Sequence, residues 1–176
     1  GITTPEQALM VQDAGADLLG LVIYDKSSRY VNVQRAVQIR QVIGPQAQCV
    51  ALLVNAGAEF VRHVIEHVKP DLLQFHGDES PSFCQQFDVP FIRAIRMREG
   101  LNIEAEVREY KAAGGVLFDA WSEDQYGGTG HQFDWSRLPR ADAMPEGSPL
   151  ILAGGLTPDN VADAVRRVGP NMVDVS

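Results

Sequence analysis

Apolar residues along this chain fall into two patterns. Some form short, nearly continuous runs; others recur every three or four positions. The runs at 16–24, 48–54, 71–75, 90–95, 116–118, 150–152 and 172–175 predict strands. Leu18, Leu19, Leu21, Val22 and Ile23 show the character best, with the near-continuity of a strand covered on both faces. Helical spacing predicts helices over 5–15, 33–43, 58–69, 81–87, 103–113 and 157–168, and a helical turn over 133–138. Ala8, Leu9 and Val11 mark the apolar side of the first helix; Phe60, Val61, Val64, Ile65 and Val68 mark that of the third. The ends carry signals too. Thr3 or Thr4 suits an N-cap, with Pro5 at the first helical position and Glu6 in the first turn. Gly44-Pro45 closes the second helix, and Thr157-Pro158 opens the last, with Asp159 in its first turn. The stretch running to Ser148 reads as a polar surface connection.

Seven strands alternate with helices, and successive strands start about 20 to 35 residues apart, the size of one βα unit. Such alternation predicts a parallel sheet with right-handed crossovers. An open doubly wound sheet and a closed eight-strand barrel both fit. No Gly-x-Gly-x-x-Gly follows the first strand, which weakens the dinucleotide-binding reading. The strand count and the abrupt start at Gly1 favour an α/β fold of the (β/α)8 TIM-barrel kind with its first strand missing, as a single domain over 1–176.

Composition narrows the partners. Of 176 residues 45% are apolar and 22% charged, which is globular rather than disordered material. The formal net charge of -8 argues against a nucleic-acid or anionic-membrane surface, yet leaves room for an anionic small ligand held by backbone N–H groups. Cys49 lies in an apolar run and Cys84 in a helical one; both read as buried free thiols, which suits a reducing compartment. No signal peptide, membrane-length apolar stretch or lipidation motif is evident, so the expected location is cytoplasmic.

In a barrel the loops after the strands gather at one face and carry the active site. The residues just after each strand are Arg29, Asn55, Gln74, His76, Arg96, Asp119, Gly154-Gly155, and Asp174 with Ser176. Asp119 ends the run Gly115-Val116-Leu117-Phe118 and precedes a glycine-rich loop. A carboxyl group half out of water there can act as a general acid, or it can merely cap a turn or pair with a lysine. Gly154-Gly155 lies where barrels commonly bind phosphate, although the same glycines serve a plain left-handed turn. Arg29 can grip a carboxylate bidentately or stand solvated. His76 can donate to a ligand or fix a turn. Tyr126-Gly127-Gly128-Thr129-Gly130 reads as a mobile lid or an ordinary surface loop. His63 and His67, spaced i, i+4, are set aside as metal ligands, since a helix outside a barrel lies far from the mouth and no third ligand is evident.

Together these stretches look familiar. Gly1-Ile2-Thr3, Lys26-Ser27-Ser28-Arg29-Tyr30, Gln74-Phe75-His76-Gly77-Asp78-Glu79, Leu117-Phe118-Asp119, Tyr126-Gly127-Gly128-Thr129-Gly130, the run from Ala153 to Val161, and Val173-Asp174-Val175-Ser176 resemble the phosphoribosylanthranilate isomerases of tryptophan biosynthesis, across essentially the whole chain and in the family's order. The resemblance implies a (β/α)8 barrel performing an Amadori rearrangement with no metal and no organic cofactor, on a small phosphosugar, as a monomer or homodimer. It implies Asp119 as general acid, a cysteine as general base, and Arg29 as the holder of the anthranilate carboxylate. Gly154, Gly155 and Ser176 fall in the phosphate-binding turns, with Asp174 near the sugar and His76 among the substrate-binding groups.

One departure shapes the expectation. The family's catalytic cysteine immediately precedes the Gly-Ile-Thr with which this chain begins, and neither Cys49 nor Cys84 matches it. The first strand and last helix of the family are thus expected to be missing from this chain, and these residues alone to be inactive. Two other readings compete: an epimerase or synthase acting on another phosphosugar, and a non-catalytic phospho-ligand-binding barrel. The first would more often show a strand-end lysine or a metal set of histidines and acids. Residues upstream of Gly1 would separate the second from an isomerase.

Overall fold

The computed structural model describes residues 1–120, 134–141, 144 and 148–175. Helices and parallel strands alternate: α1 Pro5–Asp13, β1 Leu18–Val22, α2 Val33–Arg40, β2 Gln48–Leu53, α3 Ala58–Val68, β3 Leu72–Phe75, α4 Pro81–Cys84, β4 Phe91–Met97, α5 Ile103–Glu109, β5 Gly115–Ala120, β6 Leu150–Leu152, α6 Val161–Val168 and β7 Met172–Val173. The class is α/β, with the seven strands that the apolar runs predict. The chain forms two compact units, Gly1–Phe91 and Ile92–Ser176.

In the first unit β1 pairs with β2 and β2 with β3, all parallel, with Leu19 opposite Cys49 and Ala51 opposite Leu73. Thr4 caps α1 by accepting from the Gln7 amide at 3.2 Å, and Asn32 caps α2 through the Arg35 amide at 2.8 Å. Leu19, Leu21, Ala51, Leu53, Leu73 and Phe75 are buried, with Ile39, Val61 and Val64 from the helices among them. Phe75 packs against Phe83, Phe87 and Phe91 at centroid distances of 6.0, 6.0 and 5.8 Å, so one strand-end ring organises an aromatic cluster. Asp71 ties the opposite, N-terminal ends of the strands, accepting from the Cys49 amide at 2.8 Å and pairing with Arg40 at 3.4 Å.

In the second unit β4–β5, β5–β6 and β6–β7 are parallel pairs, with Phe118 opposite Ile95 and Leu152. Ile95, Val116, Phe118, Leu150 and Leu152 pack with Val107 of α5 and with Ala164 and Val168 of α6. That fixes one face of these strands as the helix-covered face. Side chains alternate along a strand, so Asp119 and its register partner Arg96 share the other face. A 3-10 turn at Trp135–Arg137 packs against α6, and Trp135 and Leu138 lie on the core cluster.

Several element ends differ from the sequence expectation. Helix α4 stops at Cys84 rather than at residue 87, where the aromatic cluster draws Phe83 and Phe87 onto Phe75. Helix α6 begins at Val161, not at Thr157. The Thr157 carbonyl instead accepts from the amides of Asn160 and Val161, a turn completed before the helix begins. Strand β7 has only two residues, Met172 and Val173, both about 40% exposed, where a strand to Val175 was expected. Leu9 and Phe60 are also exposed, at the margins of their helices' apolar sides. Ser148 is buried rather than part of a surface connection.

Candidate active site

Each unit brings functional groups to the C-terminal ends of its strands, and the two sets are described in turn. In the first unit the loop after β1 folds back on its own strand: the Val31 amide donates to the Val22 carbonyl at 2.9 Å, and the Tyr30 amide to the Ser27 carbonyl at 3.1 Å. Ser27 Oγ accepts from the Arg29 amide at 3.2 Å. Arg29 is thereby held half-buried at the end of β1. Gly1 lies beside it: a Cβ built on Gly1 would stand 3.6 Å from Arg29 Cβ and 2.9 Å from Val22 Cγ2, and the Ile2 amide donates to the Gly20 carbonyl at 3.1 Å.

Gln74 and His76 share the face opposite Phe75, and both are buried. Gln74 Nε2 lies 3.0 Å from His76 Nδ1. An amide nitrogen only donates, so in this arrangement Nδ1 accepts and the ring proton sits on Nε2. The loop below His76 is braced by Glu79, a buried carboxylate accepting from the Asn55 amide at 2.6 Å and the Gly77 amide at 2.9 Å. Asn55 has a left-handed φ of 51° and returns a bond, its Oδ1 accepting from the Asp78 amide at 2.7 Å. Gly77 is required by close approach: a Cβ there would collide with the Asn55 side chain and stand 2.8 Å from its backbone nitrogen. Sequence reasoning placed Asn55 at a strand end but gave Glu79 no role. The available signal was an acid shortly after a strand, next to a glycine, with an asparagine, a residue tolerant of left-handed backbone, after the preceding strand.

In the second unit Asp119 lies inside β5 and is buried, at 5% exposure, rather than half out of water at a strand end. Its Oδ1 accepts from the Ala120 amide at 2.8 Å. The segment after the next strand approaches it closely. Beyond β6 the Ala153 amide still donates to the Phe118 carbonyl at 2.9 Å, and Gly154 then turns with φ 81° over the end of β5. A Cβ on Gly154 would stand 2.6 Å from the Ala120 nitrogen and 3.0 Å from Asp119 Oδ1. Only a residue without a side chain fits there. Gly155 follows with φ 64°, and Asn160 braces it, donating to the Gly155 carbonyl at 2.9 Å and accepting from the Thr157 amide at 2.8 Å. The turn therefore leads into the N-terminal end of α6, where backbone N–H groups and the helix dipole favour an anion. Asp174 continues the last pairing, its amide donating to the Leu152 carbonyl at 2.8 Å, and its side chain is exposed. Ser176 and the loop Tyr126-Gly127-Gly128-Thr129-Gly130 lie outside the described residues.

The remaining sequence candidates lie elsewhere. His63 and His67 sit on the exposed side of α3, with His67 Nδ1 2.8 Å from the His63 carbonyl. Among the described residues no group of three or more His, Cys, Asp or Glu side chains is placed to hold a metal ion. Cys84 is buried, and Cys49 is buried in β2 near Asp71, where burial pushes its thiol up to about 12. A thiol of that kind is a poor proton acceptor at neutral pH.

Comparison with known proteins places these features in one family. The family model for N-(5'phosphoribosyl)anthranilate (PRA) isomerase matches residues 1–176. An N-(5'-phosphoribosyl)anthranilate isomerase of Neisseria gonorrhoeae is 47% identical, over all of this chain and 83% of its own length. One from Pseudomonas fluorescens is 48% identical, over all of this chain and 84% of its own length. Among solved structures, the phosphoribosyl anthranilate isomerase of Thermotoga maritima superposes with a TM-score of 0.87 at 32% identity, over 99% of this chain and 84% of that one. A phosphoribosyl anthranilate isomerase in complex with reduced 1-(o-carboxyphenylamino)-1-deoxyribulose 5-phosphate gives 0.84 at 32% identity, over 99% of this chain and 83% of that one. A matched family model, close relatives and the shared fold agree: the chain belongs to the phosphoribosylanthranilate isomerase family.

Proposed function

We propose that this isomerase converts N-(5'-phosphoribosyl)anthranilate to 1-(2-carboxyphenylamino)-1-deoxyribulose 5-phosphate with Asp119 as its general acid. The observation that carries the reading is the setting of Asp119: a buried carboxyl inside β5, one residue before its last, against a left-handed glycine turn of the kind that binds phosphate. Asp119 gives a proton to the furanose ring oxygen. The bond from C1 to that oxygen breaks as the anthranilate nitrogen lone pair forms a C1=N iminium. A base then removes the C2 proton, and the C2–H electrons form the C1=C2 bond of an enolamine, discharging the iminium. Tautomerisation leaves a ketone at C2. General acid and base catalysis each contribute about 10²- to 10⁴-fold in such steps.

The base in this reading is the cysteine that the family carries immediately ahead of its Gly-Ile-Thr. Gly1, the first residue of that motif, stands against Val22 and Arg29. Arg29 holds the anthranilate carboxylate, where its planar fork gives two parallel charge-assisted bonds. The backbone of Gly154 and Gly155 receives the phosphate, with Ser176 contributing to the same turns, and Asp174 lies toward the sugar. His76, buried beside Gln74, is among the groups that bind the substrate. The architecture we propose is the (β/α)8 barrel, a single domain over residues 1–176, supported by parallel pairing in each unit and by the likeness to solved isomerases. We place the enzyme in the cytoplasm; among the described residues no helix is long and apolar enough to cross a membrane.

The test is the isomerase assay on the full-length protein, following loss of the fluorescence of the anthranilate substrate, with the upstream Cys→Ala variant beside it. Turnover in the parent and its loss in the variant are expected. An inactive but folded parent overturns the reading.

A further inference from the structure

The turn that receives the phosphate and the acid that protonates the sugar touch each other, and the contact is specific in its atoms. Gly154 lies over the hydrogen bond from the Ala120 amide to Asp119 Oδ1, since a Cβ on it would stand 2.6 Å from the donor nitrogen and 3.0 Å from the acceptor oxygen. The contact is held from both sides. Beneath it, Ala153 stays paired to Phe118, the residue before the acid, and beyond it Asn160 fixes the Gly155 carbonyl. Oδ1 is therefore held by a backbone N–H directly against the glycine, with no room for a side chain between them.

We infer that Gly154 is a positioning residue for catalysis: besides lending its backbone to the phosphate, it closes against the Ala120–Asp119 Oδ1 bond and so holds the carboxyl in the orientation from which it gives its proton. The inference rests on Asp119 being the acid. It explains why a glycine is needed beyond its left-handed φ, which Asn tolerates in other turns. It also joins two parts of the substrate through one residue, so that binding energy at the phosphate can be spent on orienting the acid.

The experiment measures kcat, KM and the dissociation constant of reduced 1-(o-carboxyphenylamino)-1-deoxyribulose 5-phosphate for full-length variants. Gly154→Ala should lower kcat at least about tenfold more than it weakens the analogue, because displaced acid geometry is felt in the transition state. Gly169→Ala is the matched control. Gly169 also has positive φ, 62°, at the C-terminal end of α6, with nothing within 4 Å of a built Cβ, so it carries the same backbone strain and should leave kcat unchanged. Weakened analogue binding with kcat retained in Gly154→Ala would overturn the inference, because the glycine would then serve the ligand alone. Asp119→Glu gives a second reading should Gly154→Ala fail to fold. Its extra methylene moves the carboxyl away from the Ala120 N–H and the Gly154 turn that hold it, so it should be nearly as inactive as Asp119→Asn. High activity in Asp119→Glu with none in Asp119→Asn sinks the positioning role but keeps the acid; activity in Asp119→Asn sinks the acid itself.

Discussion

Arg29, in the loop after β1, and Asp119, inside β5, are both charged, yet their variants should fail differently. Arg29 acts on a carboxylate that is present in substrate and transition state alike, so removing it costs uniform binding. Arg29→Ala is expected to raise KM about 10- to 100-fold with a smaller change in kcat, read from steady-state kinetics; an unchanged KM counts against its carboxylate role. The sequence marked Arg29 as a candidate, in a short polar loop after an apolar run, without deciding between a carboxylate grip and a solvated side chain. It did not reveal that Asp119 is buried. Gly154, in the next βα unit, closes against that carboxyl, and no local pattern around residue 119 encodes the approach. Glu79 was illegible for the same reason: its two partners, Asn55 and Gly77, lie in successive loops that only the folded chain brings together.

At the scale of elements, the loops after β2 and β3 behave as one braced piece. Glu79→Ala leaves two backbone amides without their acceptor, at about 1–3 kcal/mol each if they stay dry. Denaturant unfolding should show a loss of a few kcal/mol, whereas a change under about 0.5 kcal/mol would mean that water replaces the carboxylate. Asn32→Ala removes only the cap of α2 and should cost about 1 kcal/mol. Strand positions were plain in the sequence because burial on both faces writes continuous apolar runs. Helix ends were less so. Asn160 spends its side chain on the Gly155 carbonyl and the Thr157 amide, and α6 starts after it although Thr157-Pro158 carries the stronger local signal.

For the molecule as a whole, Cys49 sets a limit at high pH. Its thiol is buried among the β2 core and pushed up to about 12 from the ordinary 9.0, burial being the main cause and Asp71 adding to it against Arg40. Below pH 9 the thiol is protonated in both the folded and unfolded chain, and its contribution is constant. Between about 9 and about 12 the unfolded chain releases the proton and the folded chain keeps it. Stability therefore falls as pH rises, by about 1.4 kcal/mol per pH unit from this group. Urea unfolding at several alkaline pH values should show a shallower fall in Cys49→Ala than in the parent; equal slopes would show that the thiol titrates freely when folded. The central claim is that an isomerase of this family turns over through the acid on β5. It is tested most directly by Asp119→Asn in the full-length protein, with turnover and the affinity for the reduced product analogue measured on the same sample. Loss of turnover with the analogue still bound within a few-fold is the predicted result, since the substitution removes a proton donor and leaves the phosphate and carboxylate contacts in place. Turnover at the parent's rate would contradict the account.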